Sequence, residues 1–380
     1  MTESAIRLPL GDIDPVGSRQ AGRRSGLTLT DKGPIVGLAD GPLRAFDITG
    51  AERWSVDGAG SAITLVPFAD GVLVGERSKR GGIRFLDLED GTERWRHDTA
   101  DIVGTPTKET RFFLPMVVDS VVDGETAYVA ARRYERRSGK RHFESAVYAL
   151  RPDGTVRWRY VADASPIALT TVDGGVAVAY NRCPGDNDDG IVVLDATGVE
   201  RWRWDPDGSG DRRVGDVVAT DDGLFLTSHA DYRGYRLVDG DVEWSVDLGR
   251  QQPDGDKVYT YPNHVHASDS GVVFLTGNSF PEDGRETDER HPNEQSAFGY
   301  SLSGTQRWRE SVGGFTHEIA VDGDRLLVPV AQHFRERDPS VHGWQLFDVA
   351  EGAIAAGDAT GVVTAAAISG ERHTLVEEPV

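Results

Sequence analysis

GAERW at residues 50–54 returns as GTERW at 91–95, GTVRW at 154–158, GVERW at 198–202, GDVEW at 240–244 and GTQRW at 304–308. A seventh copy, GAIAA at 352–356, keeps the glycine and puts Ala356 in the tryptophan place. The glycines recur at intervals of 41 to 64 residues. Unequal spacing around an unchanged centre means one structural unit carrying loops of different length. Around the second copy, AITLV (62–66), GVLVGE (71–76), IRFLDL (83–88) and TERWRHD (92–98) alternate or run apolar over strand lengths, separated by glycine and aspartate turns. The glycine ahead of TERW stands where a tight hairpin needs positive φ.

Four-stranded units repeated radially make a β-propeller. The expectation is therefore an all-β toroid over residues 1–380, one domain, with Trp54, Trp95, Trp158, Trp202, Trp244 and Trp308 mostly buried between blades. The tail adds VVTAAAIS (362–369) and HTLVEEPV (373–380), which read as two strands of one more blade. The N-terminal segment 1–24, through AIRLPLGDI (5–13), would pair with them and close the ring. Eight blades are favoured on this count, with 362–380 completing the last; seven is the alternative.

The segments VYALRPDGTVRW (147–158), IVVLDATGVERW (191–202) and FLDLEDGTERW (85–95) resemble the PQQ-like β-propeller repeat, over about residues 25 to 360. That repeat occurs in quinoprotein dehydrogenases and in the BamB-type outer-membrane assembly factor. The resemblance implies a scaffold rather than a particular chemistry. The alcohol dehydrogenases of the family clamp their quinone with adjacent cysteines. Cys183 stands alone here, so pyrroloquinoline quinone is not expected. A lone cysteine also excludes an intrachain disulfide and any multi-cysteine metal site.

Among 380 residues, 41 Lys and Arg stand against 62 Asp and Glu, a net charge of −21. The acids are 40 Asp and 22 Glu, the bases 36 Arg and only 5 Lys. Nucleic acid is not an expected partner, because phosphate binding needs a basic footprint. An Asp-rich, Lys-poor surface suits very high salt, where screening removes carboxylate repulsion, so a halophilic archaeal member of the family is expected. The segment MTESAIRLPL has neither the basic nor the apolar region of a signal peptide, and no apolar run approaches ~18 residues. The expectation is a cytoplasmic monomer without membrane insertion.

In a propeller the loops into each first strand and those between second and third strands share one face. The long insertions (132–145, 181–190, 277–297 and 331–342) all fall there, so a protein or small-molecule ligand is expected on that face. Aligning the first strands on Asp221, Asp269 and Asp322 puts Asp216, His264 and His317 at one position beside the channel mouth. His266 and Glu318 lie close by, and His229 ends a neighbouring strand. Imidazoles beside a carboxylate are the residue types that hold zinc or another divalent metal. His264, His317 and Asp216 are thus the candidate metal ligands, and the alternative function is a metal- or cofactor-binding enzyme, quinoprotein-like or built on these histidines. The competing reading is a polar channel lining, and a slip of one residue would turn a side chain away. A second cluster, Arg77, Arg80, Arg132, Arg133, Arg136 and Arg137, could hold an anion or an acidic partner, or pair locally with Glu135 and Glu144. Asp205, Asp207, Ser209, Gly210 and Asp216 fall on a calcium-loop spacing, but the twelfth position lacks its Glu, and chance explains the match better. No catalytic residue is assigned.

The charge balance generates one measurement. Diluting salt lengthens the Debye length from ~3 Å at 1 M to ~30 Å at 0.01 M, so carboxylates across the surface repel one another. The melting temperature is expected to fall on dialysis from molar to millimolar salt; an unchanged value would contradict the high-salt reading.

Overall fold

The computed structural model describes residues 8, 10, 25–38, 41–58, 60–206, 208, 210–250, 258–281, 288–330 and 342–378. These build seven antiparallel four-stranded meanders, sheets one to seven, spanning 26–56, 61–98, 116–162, 165–204, 214–247, 258–311 and 320–358. A single bridge, Arg77 to Met116, joins the second to the third. A two-stranded sheet over 362–378 follows. Among the described residues the sole helix is the single turn Ala100–Val103. First strands touch in succession from sheet one through sheet six. The first strand of the two-stranded sheet touches both that of sheet seven and that of sheet one.

Burial explains this arrangement. Each apolar cluster is shared by the facing sides of two consecutive sheets. Ile35, Leu43, Ala45 and Trp54 of sheet one meet Val72, Val74 and Leu86 of sheet two. Phe225 of sheet five meets Val265, Phe274 and Phe298 of sheet six. Ala320 and Leu327 of sheet seven meet Ala366 of the last sheet, and Ala365 and Val376 of that sheet meet Val36 and Phe46 of sheet one. A sheet with both faces apolar has nowhere to hide except between two neighbours.

The repeated pentapeptide makes the joint. The indole of Trp54 leaves its own sheet and donates from Nε1 to the Leu88 carbonyl of the next at 3.1 Å. There it covers Gly91, whose φ is +74°. A methyl group at Gly91 would come within 2.8 Å of the Trp54 ring. Glycine is needed twice over, for the left-handed turn and for the space under the indole. The same contact joins Trp95 to Gly154, Trp158 to Gly198, Trp202 to Gly240, Trp244 to Gly304 and Trp308 to Gly352. Of the six rings only Trp54 is fully buried; the other five are half-buried, because the fourth strand is outermost and leaves an indole edge in solvent. In sheet seven the strand register pairs Leu346 with Ala355 and Phe347 with Ala353. Ala355, not Ala356, therefore occupies the tryptophan place. Trp344 compensates from the third strand, with its ring 4.4 Å from that of His373 in the last sheet.

Two expected loops are partly strand. Residues 132–145 form the end of a long hairpin, Thr126–Arg137 paired with Lys140–Leu150. It turns at Ser138 and Gly139, both with positive φ, as a two-residue hairpin loop requires. The strand Gly271–Pro281 likewise runs into the expected 277–297 loop. The remaining stretch at 331–341 and most of the segment 1–24 lie outside the described residues.

Trp54→Ala should cost about 3–5 kcal/mol, and Gly91→Ala about 1–3 kcal/mol through overpacking and backbone strain. The double variant should cost less than the two together, by about 1 kcal/mol or more. Denaturant melts of the four proteins measure this; strict additivity would mean that indole and glycine do not act as one joint.

Candidate functional site

The first strands carry one position per sheet that faces its successor. Pairing registers place Thr64, Asp119, Ala168, Asp216 and His264 there in sheets two to six and Ala365 in the two-stranded sheet; in sheet seven, counting four residues back from the last pair before the turn, Asp322 with Arg325, gives Glu318. Asp119 Oδ2 accepts the Leu169 N–H of the next sheet at 2.7 Å. Asp216 Oδ2 accepts that of Val265 at 3.1 Å, and Glu318 Oε1 that of Ala366 at 3.0 Å. Thr64 reaches the Ser120 hydroxyl at 3.2 Å. These side chains stitch one blade to the next, supplying acceptors to inner-strand N–H groups that the four-stranded ladder leaves unpaired.

Two expectations change. Glu318, not His317, is the partner of Asp216 and His264 in the register, because the turn in sheet seven pairs Asp322 with Arg325, one residue later than the aspartate alignment assumes. His317 stands edge-on to Phe315, ring centroids 4.7 Å apart. Among the described residues no three His, Cys, Asp or Glu side chains gather where they could hold a metal ion, so His264, His317 and Asp216 do not form a ligand set. Asp216 uses Oδ1 on its neighbour Val217 N–H and Oδ2 on Val265, while His264 Nε2 lies 3.2 Å from the Thr316 carbonyl. His266 is buried and bonds the Gly323 carbonyl through Nε2 at 2.8 Å. The calcium-loop spacing, read above as a chance match, falls only partly within the described residues. Asp205 pairs with Arg213 at 2.7 Å, and Asp207 and Ser209 lie outside the described residues.

The arginine cluster is similarly engaged. Arg133 is buried, donating to the Val103 carbonyl and to Glu135, each at 2.6 Å. Arg137 pairs with Glu135 and Glu144, Arg80 with Asp98 and Asp101. Arg77 is buried, and Arg132 lies over the Phe143 ring at 5.6 Å. Of the six, Arg80, Arg136 and Arg137 are exposed, and Arg80 and Arg137 spend their charge on neighbouring carboxylates.

What gathers on the loop face is a group the sequence reading passed over. Tyr259 and Tyr261 begin the first strand of sheet six, and Phe280 ends its second strand. Tyr232 comes from the loop of sheet five. Ring centroids stand 4.8 Å apart for Tyr232 and Tyr259, 5.2 Å for Tyr259 and Tyr261, and 5.6 Å for Tyr261 and Phe280. His229 packs on Tyr261 at 4.7 Å and accepts at Nδ1 from the Asn181 amide at 2.9 Å. The Arg212 guanidinium lies over Tyr261 at 4.5 Å. Burial, then the charge of Arg212, push His229 down to about 3, so its imidazole is neutral. Burial chiefly, and the adjacent Tyr261 hydroxyl, raise Tyr259, which stays a donor. The alternating YTYP at 259–262 was the available signal: period two puts both tyrosines on one side of a strand.

Solved structures share this architecture. The computationally designed Ika8 protein matches at a TM-score of 0.60, 13% identity and 92% coverage of each chain. Quinohemoprotein alcohol dehydrogenase from Comamonas testosteroni matches at 0.55 and 11% identity, over 90% of this chain and 68% of that one. The C-terminal WD40 domain of Sif2 matches at 0.53 and 11%, over 90% and 88%. Identities this low speak for the fold alone: the protein is a β-propeller. No family model and no curated protein matches the chain.

The neutral His229 carries a pH dependence. Its folded pKa lies below the ordinary 6.5, so between about 6.5 and 3 the unfolded chain takes up a proton that the native state refuses. Stability is full above that window and is lost as pH falls through it. His229→Gln, which keeps an acceptor for Asn181, should flatten part of the decline in denaturant melts from pH 7 to 4. An equally steep decline would clear His229 of the effect.

Proposed function

We propose that the protein is a non-catalytic binding scaffold that holds a small ligand or a protein partner on its loop face. The observation that carries this reading is the asymmetry of the two faces. Among the described residues one bears only tight turns, such as Thr30 to Gly33, Phe68 to Gly71 and Ser268 to Gly271. The other gathers the hairpin arm, the Ala100–Val103 turn packed beneath it and the tyrosine group. Side chains that converge from several blades on one rim are how a rigid ring presents a binding surface. Propellers among the structural neighbours fit a scaffold role.

The same reading includes an eight-bladed ring working as one domain in a saline medium, with 1–24 and 362–380 sharing the last blade. Leu8 and Leu10 pack into the cluster of Val36, Phe46, Ala365 and Val376. The buried Ser25 hydroxyl donates to Glu378 Oε1 at 2.9 Å. Both contacts tie the chain ends together.

Hydrogen exchange of the full chain, with and without a ligand found by thermal-shift screening, tests both parts. Protection is expected at 100–114, 132–145, 181–190 and 229–232, and removal of residues 1–24 should release the amides of 362–378. Protection confined to the tight-turn face would refute the face, and unchanged exchange after truncation would refute the closure.

A further inference from the structure

Beside the tyrosines, charge is out of balance. The backbone of Arg212 bridges that of Arg182, bringing two guanidinium stems together at the end of sheet four. Arg182 donates to Asp211 Oδ1 at 3.0 Å and Arg141 to Oδ2 at 3.3 Å. One carboxylate thus serves two arginines, and among the described residues no carboxylate pairs with the third, Arg212. In a chain of net charge −21 this local excess of positive charge is the reverse of the general pattern. Burial, and then Arg212, lower the proton affinity of Arg182, as expected where positive charge is already in surplus. The neutral His229 beneath adds none. Tyr232 is held at φ +64°.

We infer that Arg182 and Arg212 form an oxyanion site, taking a small ring-bearing carboxylate or phosphate monoester whose ring lies against Tyr259 and Tyr261. This rests on the loop-face reading above. Paired guanidinium forks match the two oxygens of a carboxylate or phosphate. The tyrosines supply ring faces and hydroxyl donors. Half-burial of both arginines weakens salt screening, so the attraction persists where exposed charges are silent.

Calorimetric titration of the full chain in molar potassium chloride tests this, with benzoate, phenyl phosphate, inorganic phosphate and benzyl alcohol as probes. A ring-bearing oxyanion should bind, inorganic phosphate more weakly and benzyl alcohol not at all; whether benzoate or phenyl phosphate binds tighter identifies the anion. Arg212→Gln should weaken binding at least about tenfold, the loss of a charged hydrogen bond, and Arg212→Lys should weaken it less. If Arg212→Gln unfolds the ring, Tyr261→Phe, which removes one hydroxyl, should still lower affinity at an unchanged melting temperature. No binding of either ring oxyanion, equal binding of benzyl alcohol, or indifference to Arg212→Gln at full stability would each overturn the site. Should an indifferent ligand still protect the loop face in exchange, only the arginine site falls; protection on the opposite face would remove the scaffold reading with it.

Discussion

An indole laid over a glycine of the next sheet is the contact on which the ring depends. Each blade buries both faces, so none is stable alone, and what must be specified is the angle and distance to the neighbour. Packing of small aliphatic residues between sheets leaves that geometry soft. The Trp54 to Gly91 joint hardens it, because the indole has one donor, one acceptor within reach at Leu88, and one floor that only glycine leaves open. The turn that presents the floor is the turn that starts the next tryptophan strand. One pentapeptide therefore both receives the preceding blade and reaches for the following one.

The arginine before the tryptophan extends the same logic. Arg201 donates to the carbonyls of Asp173 and Gly174, Arg157 to Thr126 and Arg307 to Ser270, each reaching the first turn of its own sheet. Arg53 instead crosses to Leu88 of the next blade. A planar fork with several donors spans such carbonyl pairs where an ammonium would not. The excess of arginine over lysine thus has a source in the fold as well as in any adaptation to salt.

How far the sequence could be read follows from how local each signal was. The tryptophan joint repeats within five residues, and it announced strands, turns and a radial repeat together. What it concealed was direction: the glycine of one copy receives the tryptophan of the copy before, 37 to 60 residues earlier. The inner ring was legible to one residue. His264 and Asp216 were aligned correctly, but Asp322 is the last paired residue before its turn, where Asp221 and Asp269 are the first residues of theirs, and this put Glu318 where His317 was expected. Roles at that position were less legible still, because a carboxylate that stitches backbone and one that binds metal look alike in a string of letters. The loop-face group was hidden for a different reason. Arg182, Arg212, Tyr232 and Tyr261 are far apart in sequence, and only the pairing of Arg182 with Arg212 brings them together.

These two findings about the inner strands bear on where function can reside. Propellers invite the expectation of a site on the axis, where the first strands converge. Here the axial positions of Asp119, Asp216 and Glu318 are spent on backbone N–H groups of the adjacent blade. Changing them would leave buried donors unsatisfied, at about 1–3 kcal/mol each. Selection for ligand binding at such positions works against the integrity of the ring. The side chains at the strand ends carry no such duty: Tyr259, Tyr261 and Phe280 lie at the outer end of the first hairpin of sheet six, where the backbones of Tyr259 and Phe280 pair with each other. A ring stitched along its inner edge therefore leaves chemical variation to the rim, one step outward from the axis, and that is where the unbalanced arginines and the tyrosines are found.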